Sequence, residues 1–283
     1  MSKLSIEPSG GGVGAFVTGL DLNEGISTDA VTAVREALGE YGVLFLREQT
    51  IAPEQHIAFA EKFSTIDINR FFTPVADYPM IAEVRKEPEQ KTNIGGGWHT
   101  DHSYDLDPAM GSILLARETP PSGGDTIFAS MYSAYDTLSD GLMETLGRLR
   151  GVHSSRHVFG KDAPRFQDKD NDAGSRLRNA AAATQDSIHP MVIRHPISGR
   201  KALYVNPGFT VGIEGWAANE SKALLDMLYD HAKKPEHAYR FQWAPGSIAF
   251  WDNRATWHYA VNDYHGARRL MHRITLGGEA LAA

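Results

Sequence analysis

Nine short runs of β-branched, aromatic and aliphatic residues constrain the fold of this chain more than any other feature. Gly, Pro and Asn residues separate these runs, as is typical of strands joined by turns. The runs are GVLFL (42–46), SILLA (112–116), DTIFAS (125–130), MVIRH (191–195), ALYVN (202–206), YRFQW (239–243), SIAFW (247–251), TWHYAV (256–261) and RRLMHRITLG (268–277). Many short strands at this spacing favour antiparallel sheets that close into a sandwich or barrel.

Three helices are predicted to pack outside these sheets. Apolar residues recur at helical spacing in residues 28–40, and Ser27 or Thr28 can cap that helix. Residues 52–63 form the second helix, and residues 219–232 form the third. The strands and helices together predict a mainly β fold with flanking helices.

The domain organisation follows from the absence of a boundary signal. The sequence has no internal repeat, so we expect one domain over residues 1–283. The polar segment 160–188 is predicted to be a surface excursion or a mobile lid over that domain.

Composition limits the chemistry that is open to this chain. Cysteine is absent, which excludes disulfides, thiolate metal sites and cysteine nucleophiles, so any metal must be held by His, Asp or Glu. The net charge of −7 argues against a nucleic-acid partner, because phosphate binding favours a basic surface. No signal-like or membrane-spanning apolar run is present, so we expect no membrane partner and a cytoplasmic location. The sequence leaves a homo-oligomer open.

The sequence WHTDH offers three neighbouring candidates for metal ligands. In an extended chain side chains alternate between the two faces, so His99 and Asp101 point the same way and His102 points the other way. Such a His-x-Asp pair can chelate one ion. Taken alone, however, it is more often a coincidence at the surface.

His258 is a candidate third ligand. It lies among aromatic and β-branched residues in WDNRATWHYAV, where Thr256 and Ala260 share its face. In isolation, a core histidine with satisfied hydrogen bonds is the more common explanation for such a residue.

Two arginines on the last predicted strand add a second signal. Arg269 and Arg273 share one face of this strand, and Leu270 and Ile274 share the other. If the leucine and isoleucine face the outer core, both arginines point into the barrel. Buried arginines need anionic partners, either acidic residues of the chain or the carboxylates of bound anions.

Two histidines and one carboxylate form the facial triad of non-haem Fe(II) oxygenases, which leaves three coordination positions open for oxygen and a bidentate cosubstrate. A zinc hydrolase can use a similar ligand set. A non-catalytic protein that binds small anions is the second alternative.

The sequence resembles the taurine dioxygenase/phenoxyacetate dioxygenase (TauD/TfdA) family of Fe(II)- and 2-oxoglutarate-dependent oxygenases. The resemblance covers nearly the whole chain. It rests on SIEPSGGGVGAFVTGLDL, YGVLFLREQTI, WHTDHSY, PPSGGDTIFASMYSAYDTLS, HPMVIRHPISGRKALYVNPGFT, WDNRATWHYAV and RRLMHRITLGG. It implies a double-stranded β-helix (jelly-roll, cupin-like) core that uses Fe(II), 2-oxoglutarate and O2.

The resemblance also implies roles for individual residues. His99, Asp101 and His258 match the Fe(II) ligands of the family. Arg269 and Thr126 match the positions that bind the far carboxylate of 2-oxoglutarate. In addition, Arg273 matches the position that often binds the anionic group of the primary substrate.

Departures from the taurine-specific members suggest a different substrate. Asn69 stands where those members carry a histidine, and Phe72 replaces an aromatic hydroxyl. Two further positions that are polar in those members are apolar or lack a side chain here: Gly95 and Val158. Two positions match aromatic residues of the family pocket: Phe159 and Phe209. With His102 as a further wall residue, the pattern predicts a small anionic substrate with an apolar or aromatic body, namely an aryloxyalkanoate, alkyl sulfate or alkyl sulfonate. Taurine is the alternative.

Overall fold

In the computed structural model, which describes residues 3–164 and 176–283, the chain forms antiparallel sheets with helices packed around them. The strands are β1 Ser5–Pro8, β2 Ala15–Thr18, β3 Val43–Leu46, β4 Ile66–Asp67, β5 Pro74–Val75, β6 Tyr78–Lys86, β7 Gly111–Glu118, β8 Thr126–Ser130, β9 Arg150–Ser154, β10 Asp186–Pro190, β11 Val192–Arg194, β12 Lys201–Leu203, β13 Thr210–Ile213, β14 Ala238–Phe241, β15 Ile248–Asp252, β16 Thr256–Ala260 and β17 Arg269–Leu276. The helices are α1 Thr28–Tyr41, α2 Pro53–Ala60, α3 Met131–Asp136, α4 Asp140–Leu146, α5 Arg156–Phe159 and α6 Ala218–Ala232, with short 3₁₀ turns at Ala180–Ala182 and Pro235–His237.

Two sheets build the jelly roll. The larger one has the strand order β1-β2-β3-β15-β7-β17-β6-β5, with β4 also paired to β17, and the smaller one has the order β14-β8-β16. Only β2 and β3 run parallel among these pairs. The mainly β, jelly-roll fold class expected from the sequence is confirmed.

The larger sheet separates two hydrophobic cores. Ile113 and Ile274 belong to the outer core, where helices α1 and α2 cover the sheet. Phe128 and Met271 belong to the inner core, between the larger and the smaller sheet. Since residues alternate along β17, Arg269 and Arg273 share the inner face with Met271, as the sequence predicted.

Local signals explain where the first two helices begin and end. The hydroxyl of Ser27 accepts a hydrogen bond from the backbone N–H of Ala30 at 3.2 Å, and Gly42 ends α1 with a φ of 74°. At the start of α2, the side chain of Gln55 accepts a hydrogen bond from the N–H of Ala52 at 2.7 Å.

Each of the nine predicted strands and three predicted helices is present, with ends shifted by a few residues. The prediction missed several elements in polar or mixed sequence, most notably β6, β9, β10, β13, α3 and α4. Of the predicted excursion at 160–188, residues 165–175 lie outside the described residues, while Leu177 forms a bridge with Phe72 and the last residues belong to β10. Within the described ranges, no helix combines the length and apolarity needed to cross a membrane.

Candidate metal and anion site

The proposed ligands come together where the WHTD segment meets β16. His99 and His258 form an antiparallel bridge, in which His99 N donates to His258 O at 3.1 Å and His258 N donates to His99 O at 2.8 Å. Asp101 follows two residues later. Ligand atoms of these three residues all lie within 4.8 Å of one another.

The three side chains converge on a point without bonding to each other. His99 Nε2 is 3.7 Å from Asp101 Oδ1, and His258 Nε2 is 3.9 Å from Asp101 Oδ2. These separations exceed hydrogen-bond length. His99 Nδ1 lies 2.7 Å from the carbonyl of Gly97 and can donate its proton there, so Nε2 is the ring nitrogen whose lone pair can bind a cation.

Electrostatics favour the charge states that a divalent cation requires. Burial by itself would raise the pKa of Asp101, but the nearby positive charge of Arg273 and the two histidines hold that pKa well below its usual range. Burial also lowers the pKa of His258 well below that of a free imidazole. The site therefore presents one carboxylate and a neutral imidazole, the forms that bind metal.

Arg269 is a buried cation whose guanidinium faces the same cavity. Its side chain is 5% exposed, and within the described residues its Nε and Nη2 atoms have no hydrogen-bond acceptor. Burial lowers the pKa of this guanidinium. An unpaired buried guanidinium is costly, so this geometry calls for a bound anion, and a carboxylate matches its paired N–H groups.

Thr126 lines the same cavity as this arginine. Its hydroxyl accepts a hydrogen bond from Trp243 Nε1 at 3.0 Å, and its own proton remains available for an anion. The guanidinium of Arg269 lies 5.7 Å from the Trp243 ring. Trp243 was missed from the sequence, although its place at the end of the YRFQW run was a usable signal.

Arg273 lines the same cavity and contacts both a proposed metal ligand and an aromatic ring. Its Nη1 atom is 3.3 Å from both carboxylate oxygens of Asp101, and its guanidinium sits 4.5 Å above the Phe72 ring. The sequence left open a pairing of the buried arginines with acidic residues of the chain, and for Arg273 that acidic residue is Asp101. This contact places a positive charge beside the proposed metal position and next to an aromatic wall.

Comparison with known proteins shows which family this chain belongs to. The family described as "Taurine catabolism dioxygenase TauD, TfdA family" matches residues 5–275. The chain belongs to that family. The expectation drawn from the sequence motifs is thus confirmed.

The relatives differ in the substrates that their names record. An α-ketoglutarate-dependent sulfate ester dioxygenase of Pseudomonas putida is 33% identical over 98% of this chain and 90% of its own length. An α-ketoglutarate-dependent 2,4-dichlorophenoxyacetate dioxygenase of Cupriavidus pinatubonensis is 32% identical over 94% and 95% of the two chains. The crystal structure of a taurine dioxygenase from Burkholderia xenovorans, 34% identical over 99% and 93%, superposes with a TM-score of 0.82.

In this TauD/TfdA protein the triad and both arginines border one cavity of about 680 Å³. The five residues expected to contact substrate besides Arg273 also line it: Asn69, Phe72, His102, Phe159 and Phe209. Further lining residues were not predicted as substrate contacts, and they are mostly apolar: Val84, Ile94, Tyr104, Leu114, Val158 and Trp251. The wall is therefore largely apolar, as the departures from the taurine-specific sequence suggested.

Gly95 shapes the cavity by having no side chain. Its φ of +84° is strained for other residues, and an added Cβ would lie 3.4 Å from Cε1 of His99. A side chain at this position would project over the proposed metal ligand. Its absence leaves room beside the metal position.

His102 lies outside the extended segment that carries His99 and Asp101. The chain turns at Asp101 and His102 has a φ of 58°, so the extended geometry assumed from the sequence ends at Asp101. The conclusion that His102 stays out of the triad nevertheless agrees with its contacts. Its Nδ1 lies 3.0 Å from Asp105 Oδ2 and its Nε2 lies 3.1 Å from Asn69 Nδ2.

Proposed function

We propose that this protein is an Fe(II)- and 2-oxoglutarate-dependent dioxygenase that hydroxylates a small anionic organic substrate at the carbon next to its heteroatom. The observation that carries the proposal is one cavity with two complementary features. One is the cluster of His99, Asp101 and His258, and the other is the buried guanidinium of Arg269, whose Nε and Nη2 atoms have no acceptor in the part of the chain that the structure describes. Family membership supports the same reaction class.

Each of these residues has a distinct task. The two imidazoles and the carboxylate of the triad hold Fe(II) and leave coordination positions open. Arg269 and Thr126 bind the far carboxylate of 2-oxoglutarate by charge and hydrogen bonding, which fixes how the cosubstrate meets the metal. Bound iron with 2-oxoglutarate and O2 supplies the oxidising chemistry, which converts 2-oxoglutarate to succinate and CO2.

The substrate end of the cavity carries one cation and several rings. Arg273 attracts an anionic head group, while Phe72, Phe159 and Phe209 surround an apolar body and exclude water. Hydroxylation beside an ester or ether oxygen, or beside sulfonate sulfur, yields an unstable product that breaks at that bond. Alkyl sulfates, alkyl sulfonates and aryloxyalkanoates fit this wall better than taurine, whose amine finds an apolar surface here.

The test is a substrate screen that measures succinate formation with Fe(II), 2-oxoglutarate and O2. Alkyl sulfates, alkyl sulfonates, phenoxyalkanoates and taurine are compared at equal concentration. We expect stimulation by at least one of the first three classes and little by taurine. A preference for taurine would overturn the substrate assignment, and no stimulation by any compound would count against the reaction.

An anaerobic visible spectrum separates this proposal from a zinc hydrolase. Fe(II) and 2-oxoglutarate together give a weak charge-transfer band, which zinc does not give. We expect this band in the wild-type protein and its loss in Asp101→Ala. Oxygen consumption with 2-oxoglutarate separates the enzyme from a protein that only binds anions.

A further inference from the structure

The ring of His258 has no hydrogen bond that fixes its orientation in the part of the chain that the structure describes. Its Nε2 atom lies 3.9 Å from Asp101 Oδ2, whereas its Nδ1 atom is buried without a hydrogen-bond partner. A histidine that binds a metal usually donates its second N–H to an acceptor, which fixes the tautomer and the ring. Another kind of contact must therefore orient this ring.

Ring packing supplies that contact. The centroid of the Trp251 ring lies 4.7 Å from that of His258, at an interplanar angle of 47°. The Phe128 ring is further away, at 6.3 Å, and the His99 ring, at 4.1 Å, belongs to another ligand. Trp251 is 2% exposed and lines the cavity. The indole of Trp251 is therefore the ring outside the triad that supports His258.

This indole is anchored by Asn253, which lies in the turn between β15 and β16. Trp251 Nε1 donates to Asn253 Oδ1 at 2.9 Å, and Asn253 Nδ2 donates to the carbonyl of Ala109 at 3.2 Å. Because an indole N–H only donates, the amide oxygen must face Trp251 and the NH2 group must face Ala109. The backbone N–H of Asn253 donates to the carbonyl of Met110 at 2.9 Å. Backbone and side chain of Asn253 are thus both fixed.

Asn253 also contacts the other half of the triad through Thr100. Thr100 lies between His99 and Asp101 in the sequence and is 3% exposed. Its hydroxyl donates to the backbone carbonyl of Asn253 at 2.7 Å and lies 3.4 Å from the side-chain oxygen of the same residue. One residue therefore contacts both the segment that carries two ligands and the indole that supports His258.

We propose that Asn253 is a positioning residue that holds both halves of the metal triad, one through Thr100 and the other through Trp251. The inference rests on the proposed function only for the identity of the three ligands. Ligands that are fixed before the ion binds give a tighter site with a defined geometry. Loosening either contact of Asn253 should therefore weaken metal binding and alter the coordination geometry.

The experiment measures the binding of Co(II) alone to the full chain by titration of its visible absorption bands. Thr100→Val keeps the size of the side chain and removes its hydroxyl. Trp251→Phe keeps an aromatic ring and removes the N–H that Asn253 accepts. We expect the dissociation constant for Co(II) to rise about tenfold or more in each variant, as is usual when a contact that orients a metal ligand is lost. The absorption bands should also change in position or intensity.

Two further variants separate positioning from general stability. Thr100→Ser keeps a hydroxyl at the same place and should bind Co(II) nearly as tightly as the wild type. Tyr132→Phe removes another buried hydroxyl, which donates to the carbonyl of Gly39 at 2.8 Å and does not line the cavity. It should lower the free energy of unfolding in urea and leave Co(II) binding unchanged.

The double variant of Thr100→Val and Trp251→Phe tests whether Asn253 is the shared residue. Because both changes act through Asn253, the loss of Co(II) affinity in the double variant should be smaller than the product of the two single losses. A fully multiplicative loss would contradict the shared role.

Wild-type Co(II) affinity and absorption in either Thr100→Val or Trp251→Phe would overturn the inference. Equal weakening of Co(II) binding in Tyr132→Phe would do the same, because the effect would then follow stability. These titrations contain neither 2-oxoglutarate nor substrate. A lack of succinate formation by a protein that binds Co(II) as expected would therefore count against the proposed function alone.

Discussion

Two clusters of histidine and aspartate lie side by side in this protein and differ in how their lone pairs are used. His99, Asp101 and His258 form one, and Asp67, His102 and Asp105 form the other. They are adjacent at the Asp101–His102 peptide bond. In the first cluster the ligand atoms approach without bonding to each other, at 3.7 Å and 3.9 Å.

In the second cluster the imidazole is already satisfied. Both ring nitrogens of His102 have hydrogen-bond partners, and Asp105 is also paired with Arg70. Metal binding there would require breaking these bonds and displacing a positive charge. Residue types that bind metals can hold an ion only where their ligand atoms converge and hydrogen bonds have not consumed the lone pairs, and by this criterion we expect the metal at the first cluster.

The largest expected effect is from Asp101→Ala, which removes the only carboxylate of the first cluster. This variant should lose iron binding and abolish succinate formation, because two imidazoles beside the unpaired charge of Arg273 hold Fe(II) poorly. Iron content and succinate are the measurements, with the exposed Asp107→Ala as the control. Near-wild-type turnover would remove the distinction between the two clusters.

Arg269→Ala tests whether this arginine binds the carboxylate of 2-oxoglutarate next to the first cluster. A lost bond between charged groups costs about 1.5–3 kcal/mol, so the 2-oxoglutarate concentration for half-maximal rate should rise about tenfold or more. Arg268→Ala is the matched control, since Arg268 points away and pairs with Glu87 and Glu118. An unchanged half-saturation in Arg269→Ala would place the cosubstrate elsewhere.

Acid should lower the free energy of unfolding through His153, which contacts the turn that joins the two clusters. His153 Nδ1 lies 3.1 Å from Ser103 Oγ in that turn, and burial lowers the pKa of His153 to about 3. As pH falls below about 6.5, the unfolded chain binds a proton at this histidine and the folded chain does not. Its contribution to stability is therefore complete above that pH and declines toward pH 3.

Urea denaturation of the wild type and of His153→Gln at several pH values measures this contribution. The difference in unfolding free energy between the two proteins should shrink by up to about 1.4 kcal/mol per pH unit between pH 6 and pH 4. A difference that is constant with pH would show that His153 is protonated, or accessible to protons, in the folded protein.

The smallest expected effect is from His102→Gln on metal content. Because His102 has no free lone pair for a cation, this variant should bind as much iron as the wild type, while Asp101→Ala does not. Iron content after desalting is the measurement. A loss of iron in His102→Gln would mean that the second cluster contributes to the metal site.

The sequence predicted the strands best where apolar residues dominate. β7, β15 and β17 run through the core and read as continuous apolar or alternating segments. Strand β9, RGVHS, and strand β10, DSIHP, contain buried histidine and serine, so their polarity concealed them. Their stability comes from pairing and from buried hydrogen bonds, which local propensity does not contain.

The shared direction of His99 and Asp101 and the inward face of the arginines could be predicted because they follow from side-chain alternation, whereas His258 as a third ligand followed only from the family resemblance. His99 and Asp101 are two residues apart, and Arg269 shares a strand face with Arg273. The His102 turn could not be predicted, because a positive φ is rare outside glycine and the contacts of His102 with Asp105 and Asn69 form only in the folded protein. A pairing of Arg273 with an acidic residue was one of the predicted alternatives, but its partner Asp101, 172 positions away, could not be identified from the sequence.

The amino-acid sequence by itself determined the class of chemistry. The chain has no cysteine, one His-x-Asp pair, a distant histidine and two inward arginines, within motifs that resemble Fe(II)- and 2-oxoglutarate-dependent oxygenases. Tertiary structure alone decided which of these side chains converge on one cavity and which are used in hydrogen bonds. A hydrogen bond occupies a lone pair or a proton only when the fold brings its partner within reach. For this reason the imidazoles of His99 and His102, three residues apart, have different hydrogen-bond partners although the sequence offers the same side chain twice.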